Sequence, residues 1–382
     1  MKEGWSYKKL GEVARVQNGF AFDSKLFNDN AIGTPLIRIR DIKRAYSTTY
    51  TTESCSSDYF IEDGHVLIGM DGDFNICVWA GGHAYLNQRV CHVVPTDVIS
   101  PRFIYYFLPF PLKKINDKTS FSTVKHLSSK QVNEILIPVP PLSEQRSIVT
   151  RLDAAFSHID ALKANAEKQL NEARKLFQAE LAECMKPKEG WEEKKLGEVC
   201  IKASNIRWDD VKDDKSYSYI DLTSVDRNLL EITTPQIITK SDTPSRAKQI
   251  VLEGDVLFAT TRPTLRRLCL IKKRYNNQIC STGYCVLRPK SGVDSKWIFY
   301  LLQDKRFYDY IEPLQTGASY PAVTDGLVKD YYIHIPPLID QQIIVAHLDS
   351  LSSNIRKLEE LQQKTLAECD ALKQAMLREV FE

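Results

Sequence analysis

Two stretches of the chain carry apolar residues at alternating spacings of four and three. In residues 143–186 they are Ile148, Leu152, Ala155, Ile159, Leu162, Ala166, Ala173 and Leu176 or Phe177, set among Lys, Glu, Gln and Arg. In residues 339–382 they are Ile344, Leu348, Leu351, Ile355 and Leu358, running on through Thr365, Cys369, Leu372 and Met376. Such spacing gives a helix one apolar seam, the pattern of a coiled coil. Some 40 residues at about 1.5 Å each predict a rod of roughly 60 Å, too long for an ordinary globular helix. Ser143 is placed as an N-cap for the first helix, whereas Ile339 stands at the matching position of the second and only Asp340 supplies first-turn charge, so the cap is not expected to repeat. The first helix leads out of one half of the chain into the other. A second helix packed along it must run back, and the pair is predicted to be antiparallel.

Elsewhere the pattern shortens. Runs such as "PLIRIRDI" and "DVLFATT" read as strands, and "SPRFIYYFL" and "SKWIFYLL" read as short helices between them. The predicted fold class is α+β: two tandem globular domains, 1–142 and 187–338, separated by helices at 143–186 and 339–382. Alternation in "LIRIRDI" would put Ile37 and Ile39 on the core face and leave Arg38 and Arg40 projecting together from the other.

The halves repeat. "GWSYKKLGEV" at 4–13 returns as "GWEEKKLGEV" at 190–199, and "IPVPPLSEQRSIVTRLD" at 137–153 returns as "IHIPPLIDQQIIVAHLD" at 333–349. Pro140, Pro141, Leu142, Gln145, Ile148, Leu152 and Asp153 all recur in step. "DGHVLIGMDGDF" at 63–74 resembles "EGDVLFATTRPT" at 253–264, but the interiors otherwise differ. An internal repeat of this kind predicts a pseudo-twofold molecule with a shared frame and divergent contents.

Charge adds only local information. Lysine and arginine (51) nearly balance aspartate and glutamate (49), for a net charge of +2, so any basic surface must be local. "IRIRDIKR" gathers Arg38, Arg40, Lys43 and Arg44; "TTRPTLRRLCLIKKRYNNQ" gathers Arg262, Arg266, Arg267, Lys272, Lys273 and Arg274. Patches of this kind suit phosphates and guanine edges. "GMDGDFN", with Asp71 and Asn75, and "ATTRPTLRR" follow the same repeated strand, and read as flexible polar loops of unlike chemistry on one scaffold.

Catalytic patterns are missing from the sequence. It contains no Gly-x-x-x-x-Gly-Lys phosphate loop, no Gly-x-Gly-x-x-Gly turn and no Gly-x-Ser-x-Gly elbow. The acids of "EEKK" at 192–195 are replaced in the matching "SYKK", and His65, His92 and His126 have no counterparts in the other half. The nine cysteines form no Cys-x-x-Cys pair and the histidines are not at ligand spacings beside them, so no catalytic and no metal-ligating residues are assigned. Buried thiols in a reducing compartment are expected. The opening residues lack a signal peptide's apolar core and no stretch approaches a membrane span, so a cytoplasmic protein without a membrane partner is expected.

Taken as an ordered set, the two "W..KKLGEV" openings, "NGFAFDSKLF…GTPLIRIRDI", "GDVLFATTR", "CSTGYCVLRP", the two "PPL..Q" segments and the two heptad helices resemble the specificity subunit of a type I restriction–modification system. The resemblance covers the whole chain. It implies two target-recognition domains, each reading one half of a split double-stranded DNA sequence, held apart by the helices. It also implies two methyltransferase subunits as partners, with restriction subunits where the system includes them. By the same resemblance, S-adenosylmethionine, ATP and Mg belong to those partners and this chain holds no cofactor. The "DGHVLIGMDGDF" and "EGDVLFATTRPT" forms differ enough that loop contacts do not transfer between the halves. Two other classes fit the same architecture: a tandem protein-interaction scaffold without DNA recognition, and a stand-alone DNA-modifying enzyme, for which no site is found.

Overall fold

The computed structural model describes residues 5–119 and 125–382. The chain forms two compact units, residues 1–165 with 364–382, and residues 166–363. The division between these units falls within the long helices, Leu142–Cys184 and Leu338–Phe381.

In the first unit, a four-stranded antiparallel sheet runs in the order Ala14–Asn18, Val90–Pro95, Val66–Gly69, Ile76–Val78. A second sheet of five short strands contains the parallel pair Thr34–Ile37 and Ala84–Leu86. The second unit repeats the first sheet as Cys200–Ile201, Tyr284–Pro289, Val256–Ala259, Leu268–Leu270. Its other sheet again holds a parallel pair, Tyr217–Ile220 with Gln278–Ser281.

The strand quoted in both halves is buried on both faces. Val66 and Ile68 pack with Phe103 and Ile104 of the helix Pro101–Phe107, while Leu67 faces a separate core with Ile37, Trp79 and Leu86. Val256 and Phe258 pack likewise with Trp297 and Ile298, and Leu257 and Ala259 with Ile220 and Cys280. Burial on two faces is why "VLIG" and "VLFA" are unbroken apolar runs instead of alternating ones.

The duplicated first and last lines of each half meet. Ser6–Lys9 pairs antiparallel with Leu136–Val139, and Glu192–Lys195 with Tyr332–Ile335. The Leu10 and Leu196 amides then donate to the Ile135 and Tyr331 carbonyls, at 2.7 and 2.9 Å. The repeated tryptophans close the same corner edge-on, Trp5 against Phe103 and Trp191 against Trp297.

The helix start corrects the sequence reading. Ser143 is not the cap: the Pro141 carbonyl accepts from the Glu144 and Gln145 amides, and the Pro337 carbonyl from those of Asp340 and Gln341. Each helix thus begins one residue earlier than its apolar pattern suggests, and the cap does repeat. Gln145, fully buried, donates to the Pro140 and Val98 carbonyls (2.8 and 3.0 Å) and accepts from the Ser100 amide (2.8 Å). Gln341, equally buried, does the same with Pro336, Gly292 and the Asp294 amide. Eight residues on, Asp153 receives Arg102 and Tyr106, and Asp349 receives Lys296 and Tyr300.

The helices are antiparallel within each unit. In the first, Asp160 pairs with Lys373 and Lys163 with Asp370; in the second, Arg174 pairs with Glu359 and His347 with Glu180. Ile148, Leu152, Ile159 and Leu348 are buried, and Ile344, Leu351, Ile355 and Leu358 are partly buried. Leu162 is not in the seam. It is 57% exposed, and the neighbouring Lys163 turns inward instead, its side chain 24% exposed. The seam runs Leu152, Phe156, Ile159, Lys163, Ala166, Leu170, Ala173, Phe177, so the phase uses Phe156 where the sequence reading used Ala155. Phe156 packs edge-on against Tyr106 and lies under the Lys373 ammonium. Leu372 is likewise exposed beside the inward Lys373.

These assignments predict opposite outcomes for two nearby leucine-type positions. Ile159→Asp buries an unpaired carboxylate and is expected to cost about 3 kcal/mol or more. Leu162→Asp, on the open face, is expected to stay within about 0.5 kcal/mol of the parent. Denaturant unfolding of the two variants followed by circular dichroism checks the pair, and equal losses would refute the seam phase.

Candidate nucleic-acid interface

In the first unit, the strand Thr34–Ile37 stops before the arginines, and Ile39–Asp41 is a 3-10 turn. The turn ends the alternation that would have aligned Arg38 with Arg40. Arg38 lies over the Phe27 ring (5.5 Å), and Arg40 donates to Thr49 Oγ1 at 2.6 Å. Arg44 is committed to the buried Asp41 carboxylate and lies over Tyr46. Only Lys43 reaches the strand-end loop, pairing loosely with Asp73 at 3.4 Å.

The loop 70–75 is anchored, contrary to its reading as a flexible polar segment. Phe74 is 2% exposed and inserts into the core with a left-handed φ of 51°. The Asn75 carbonyl accepts from the Gly69 amide at 2.8 Å. Asp71 is held between His126 Nδ1 (2.7 Å) and Arg89 Nη1 (3.5 Å). The Met70 carbonyl accepts from the Leu127 amide (2.7 Å), and the Gly72 amide donates to Lys125 (2.9 Å). Nothing local in the sequence marks Arg89 or Lys125, and His126, set aside there because it has no counterpart in the other half, is one of the two partners of Asp71.

The second unit joins the corresponding segments. The Thr260 carbonyl accepts from the Val323 amide at 2.9 Å, the equivalent of the Met70–Leu127 bond, and isolated bridges Asp71–His126 and Thr261–Ala322 occupy matching places. Arg262, with a left-handed φ of 50°, donates its amide to Pro321 and a guanidinium N–H to the Ser319 carbonyl, and stacks on Tyr320 at 4.6 Å. Tyr320 is 69% exposed, an aromatic surface that the sequence reading did not single out.

The basic run 262–274 is not one patch. Arg262, Arg266 and Arg267 lie at the loop end of the hairpin, while Lys272, Lys273 and Arg274 follow Leu268–Leu270 at its other end, where Ile271 bonds to Asp255. Three strand residues put about 10 Å between the groups. Lys272 pairs with Glu231 (2.9 Å), and Arg274 lies over Tyr275. Burial alone would raise the Glu231 pKa, but Lys272 and Arg356 outweigh it and hold the carboxyl below its usual range. Arg266 stacks on the buried Tyr308 (4.4 Å) at a cleft of about 270 Å³ that Arg174, Arg227 and Arg356 also line. Burial pushes the Tyr308 phenol up, opposed by the Arg266 charge. Burial pushes the Tyr284 phenol up, and the nearby Arg267 charge opposes it.

The chain is thus a duplicated α+β domain with a matched loop face in each copy and a long helix after each, the make-up of a tandem recognition protein. The family described as type I restriction modification DNA specificity domain matches twice, at residues 2–172 and 188–368, and the chain belongs to that family. Its role is DNA sequence specificity within a type I restriction–modification system. Over 409 aligned positions it is 26% identical to the type I restriction enzyme EcoBI specificity subunit of Escherichia coli, covering 99% of this chain and 86% of that one. The EcoDI specificity subunit, also of Escherichia coli, is 22% identical, with 99% and 88% covered. The fold matches, at a TM-score of 0.77 and 21% identity, a chain from a structure of complex assembly and conformational transition in the type I R-M system; all of this chain and 98% of that one are covered. It also matches the HsdS subunit from Thermoanaerobacter tengcongensis at a TM-score of 0.55 and 21% identity, with 100% and 97% covered.

The anchored loop yields a prediction. Phe74→Ala removes no polar group from the surface but empties a core position, and is expected to cost about 3–5 kcal/mol. Limited proteolysis should then cut within 70–75, where the parent resists cleavage.

Proposed function

We propose that the chain reads an asymmetric, bipartite duplex sequence, one half-site with each loop face, and scaffolds two methyltransferase subunits. Restriction subunits join where the system includes them. The observation that carries this reading is the pairing of the same two segments in both units, with Asp71, Arg89 and His126 on one face and Arg262 with Tyr320 on the other. A common backbone frame with unlike side chains suits two unlike half-sites, since sequence is read by side-chain contacts to base edges and phosphates only set register. Catalysis lies with the partners, which carry S-adenosylmethionine, ATP and Mg. The complex as a whole acts as an adenine methyltransferase and a site-specific deoxyribonuclease in the cytoplasm. Among the described residues no helix is long and apolar enough to cross a membrane, in keeping with that setting.

Of the residues singled out from the sequence, Arg262 lies in the proposed reading loop and Arg267 where that loop rejoins the strand, whereas Lys272, Lys273 and Arg274 lie at the hairpin's far end. Arg262→Ala with Arg267→Ala is expected to weaken duplex binding by the methyltransferase complex. A lost phosphate contact lowers the slope of log K against log salt by about 0.9 on every duplex. A lost base contact costs about 1–3 kcal/mol on the cognate half-site only. Lys272→Ala with Lys273→Ala is expected to leave both measurements unchanged, and equal losses from the two pairs would reject the loop-end assignment.

Exchanging residues 191–338 for the matching segment of a relative should alter one half-site in single-molecule methylation maps. Changes in both half-sites, or a contiguous palindrome in the parent, would overturn the two-reader proposal.

A further inference from the structure

We propose that Glu180, Cys184 and His347 form a binding site for a divalent cation that accepts sulfur and nitrogen, zinc foremost, clasping the two long helices within the second unit. Glu180 and Cys184 are four residues apart and share one face of the first helix. His347 comes from the second helix, with Nε2 3.0 Å from Glu180 Oε1. The Cys184 thiol lies 3.8 Å from the same oxygen, and the three ligand atoms all fall within 4.8 Å of one another. Zinc bonds of about 2.0–2.3 Å in a tetrahedron need ligand atoms roughly 3.2–3.7 Å apart, so a small rotation of Cys184 or His347 completes the set.

A histidine–glutamate ion pair involves two of these residues; the thiol, partly buried at the edge of the core, turns toward the same Glu180 oxygen. The repeat supplies a contrast. By the register that matches Gln145 to Gln341, the three positions correspond to Met376, Val380 and Arg151 in the first unit, none of which offers an oxygen, thiolate or imidazole donor, although Glu379 lines the same cavity. The three matching positions thus hold no metal-binding group in one unit and three in the other.

Neighbouring residues fix the site's framework. Leu181 and Leu348, each next to a ligand in sequence, are fully buried in the second unit's core, so the two helix backbones are held while the ligand side chains stay partly open. Binding forms a metal–sulfur bond as the Cys184 proton leaves to solvent, and the exposed side at His347 leaves a fourth position for water. A thiolate and an imidazole select zinc or cobalt over magnesium or calcium.

The test titrates cobalt, and then zinc in competition, into the reduced, chelator-treated full-length chain. One equivalent should give the intense d–d bands of four-coordinate cobalt and a thiolate charge-transfer band, both abolished by zinc. Cys184→Ser should remove the charge-transfer band. His347→Ala should weaken zinc binding by at least about tenfold, the loss that even outer-sphere changes cause at such sites. Cys55→Ser, at the other partly exposed cysteine, should change neither. Zinc should raise the thermal midpoint of the parent but not of Cys184→Ser. No cobalt spectrum in the parent, or an unchanged one in Cys184→Ser, would overturn the site.

Discussion

Each unit is organised by one buried glutamine. The Gln145 amide has no access to water, so leaving any of its three bonds unmade would expose a buried polar group to a penalty of about 1–3 kcal/mol. Its partners lie on the proline that ends the domain, on the loop at Val98 and on the backbone at Ser100 that starts the next helix. A single side chain therefore joins the domain's last strand, its helical layer and the first turn of the long helix. Asp153 extends the joint. Burial alone would raise its pKa, but hydrogen bonds from Arg102 and Tyr106 prevail and lower it. Its contribution is thus in force above the ordinary carboxylate range and fades as pH falls through the depressed value. Gln341 and Asp349 rebuild the arrangement in the second unit with Lys296 in place of the arginine.

That joint allows the rest of each domain to diverge. The doubly buried central strand determines where the following loop emerges, and one backbone bond, Leu127 to Met70 or Val323 to Thr260, determines which segment faces it. Side chains beyond those points answer to no shared core. One loop is tied down by Phe74. The other turns through the buried Pro263, flanked by left-handed Arg262 and Arg266, and presents guanidinium and aromatic groups. Left-handed backbone at non-glycine residues carries a cost of order 1 kcal/mol each, which the surrounding bonds must offset. Such devices place polar groups at the loop tip without loosening the domain.

The helices tolerate polar seam positions because their partners are close. Lys163 and Lys373 lay their methylene stems along the seam and end on Asp370 and Asp160. Apolar packing is concentrated where each helix pair meets a domain core, at Ile148, Leu152 and Leu377 in one unit and at Leu181, Val345 and Leu348 in the other. Core packing therefore marks both ends of each helix, and the stretch between them, with Leu162 and Lys163, is where the apolar pattern misplaces the seam.

The sequence by itself determined the duplication, the α+β class, the two long helices, their antiparallel sense and the divergence of the loops, because each of these rests on local periodicity, on literal repetition or on the order of elements along the chain. Tertiary structure decided what periodicity leaves open. Ala155 and Phe156, or Leu162 and Lys163, satisfy a heptad equally well until a partner helix supplies Asp370 on one side and solvent on the other. A 3-10 turn anchored by Asp41 ended the strand that would have aligned Arg38 with Arg40. A three-residue strand divided six basic residues that are nearly contiguous in sequence. Conversely, Asp71 with His126, Arg262 with Tyr320, and Cys184 with His347 are brought together across 55 or more residues of chain by hydrogen bonds and packing between other residues. Contacts of that kind leave no mark at either position, since their geometry belongs to the frame that holds them.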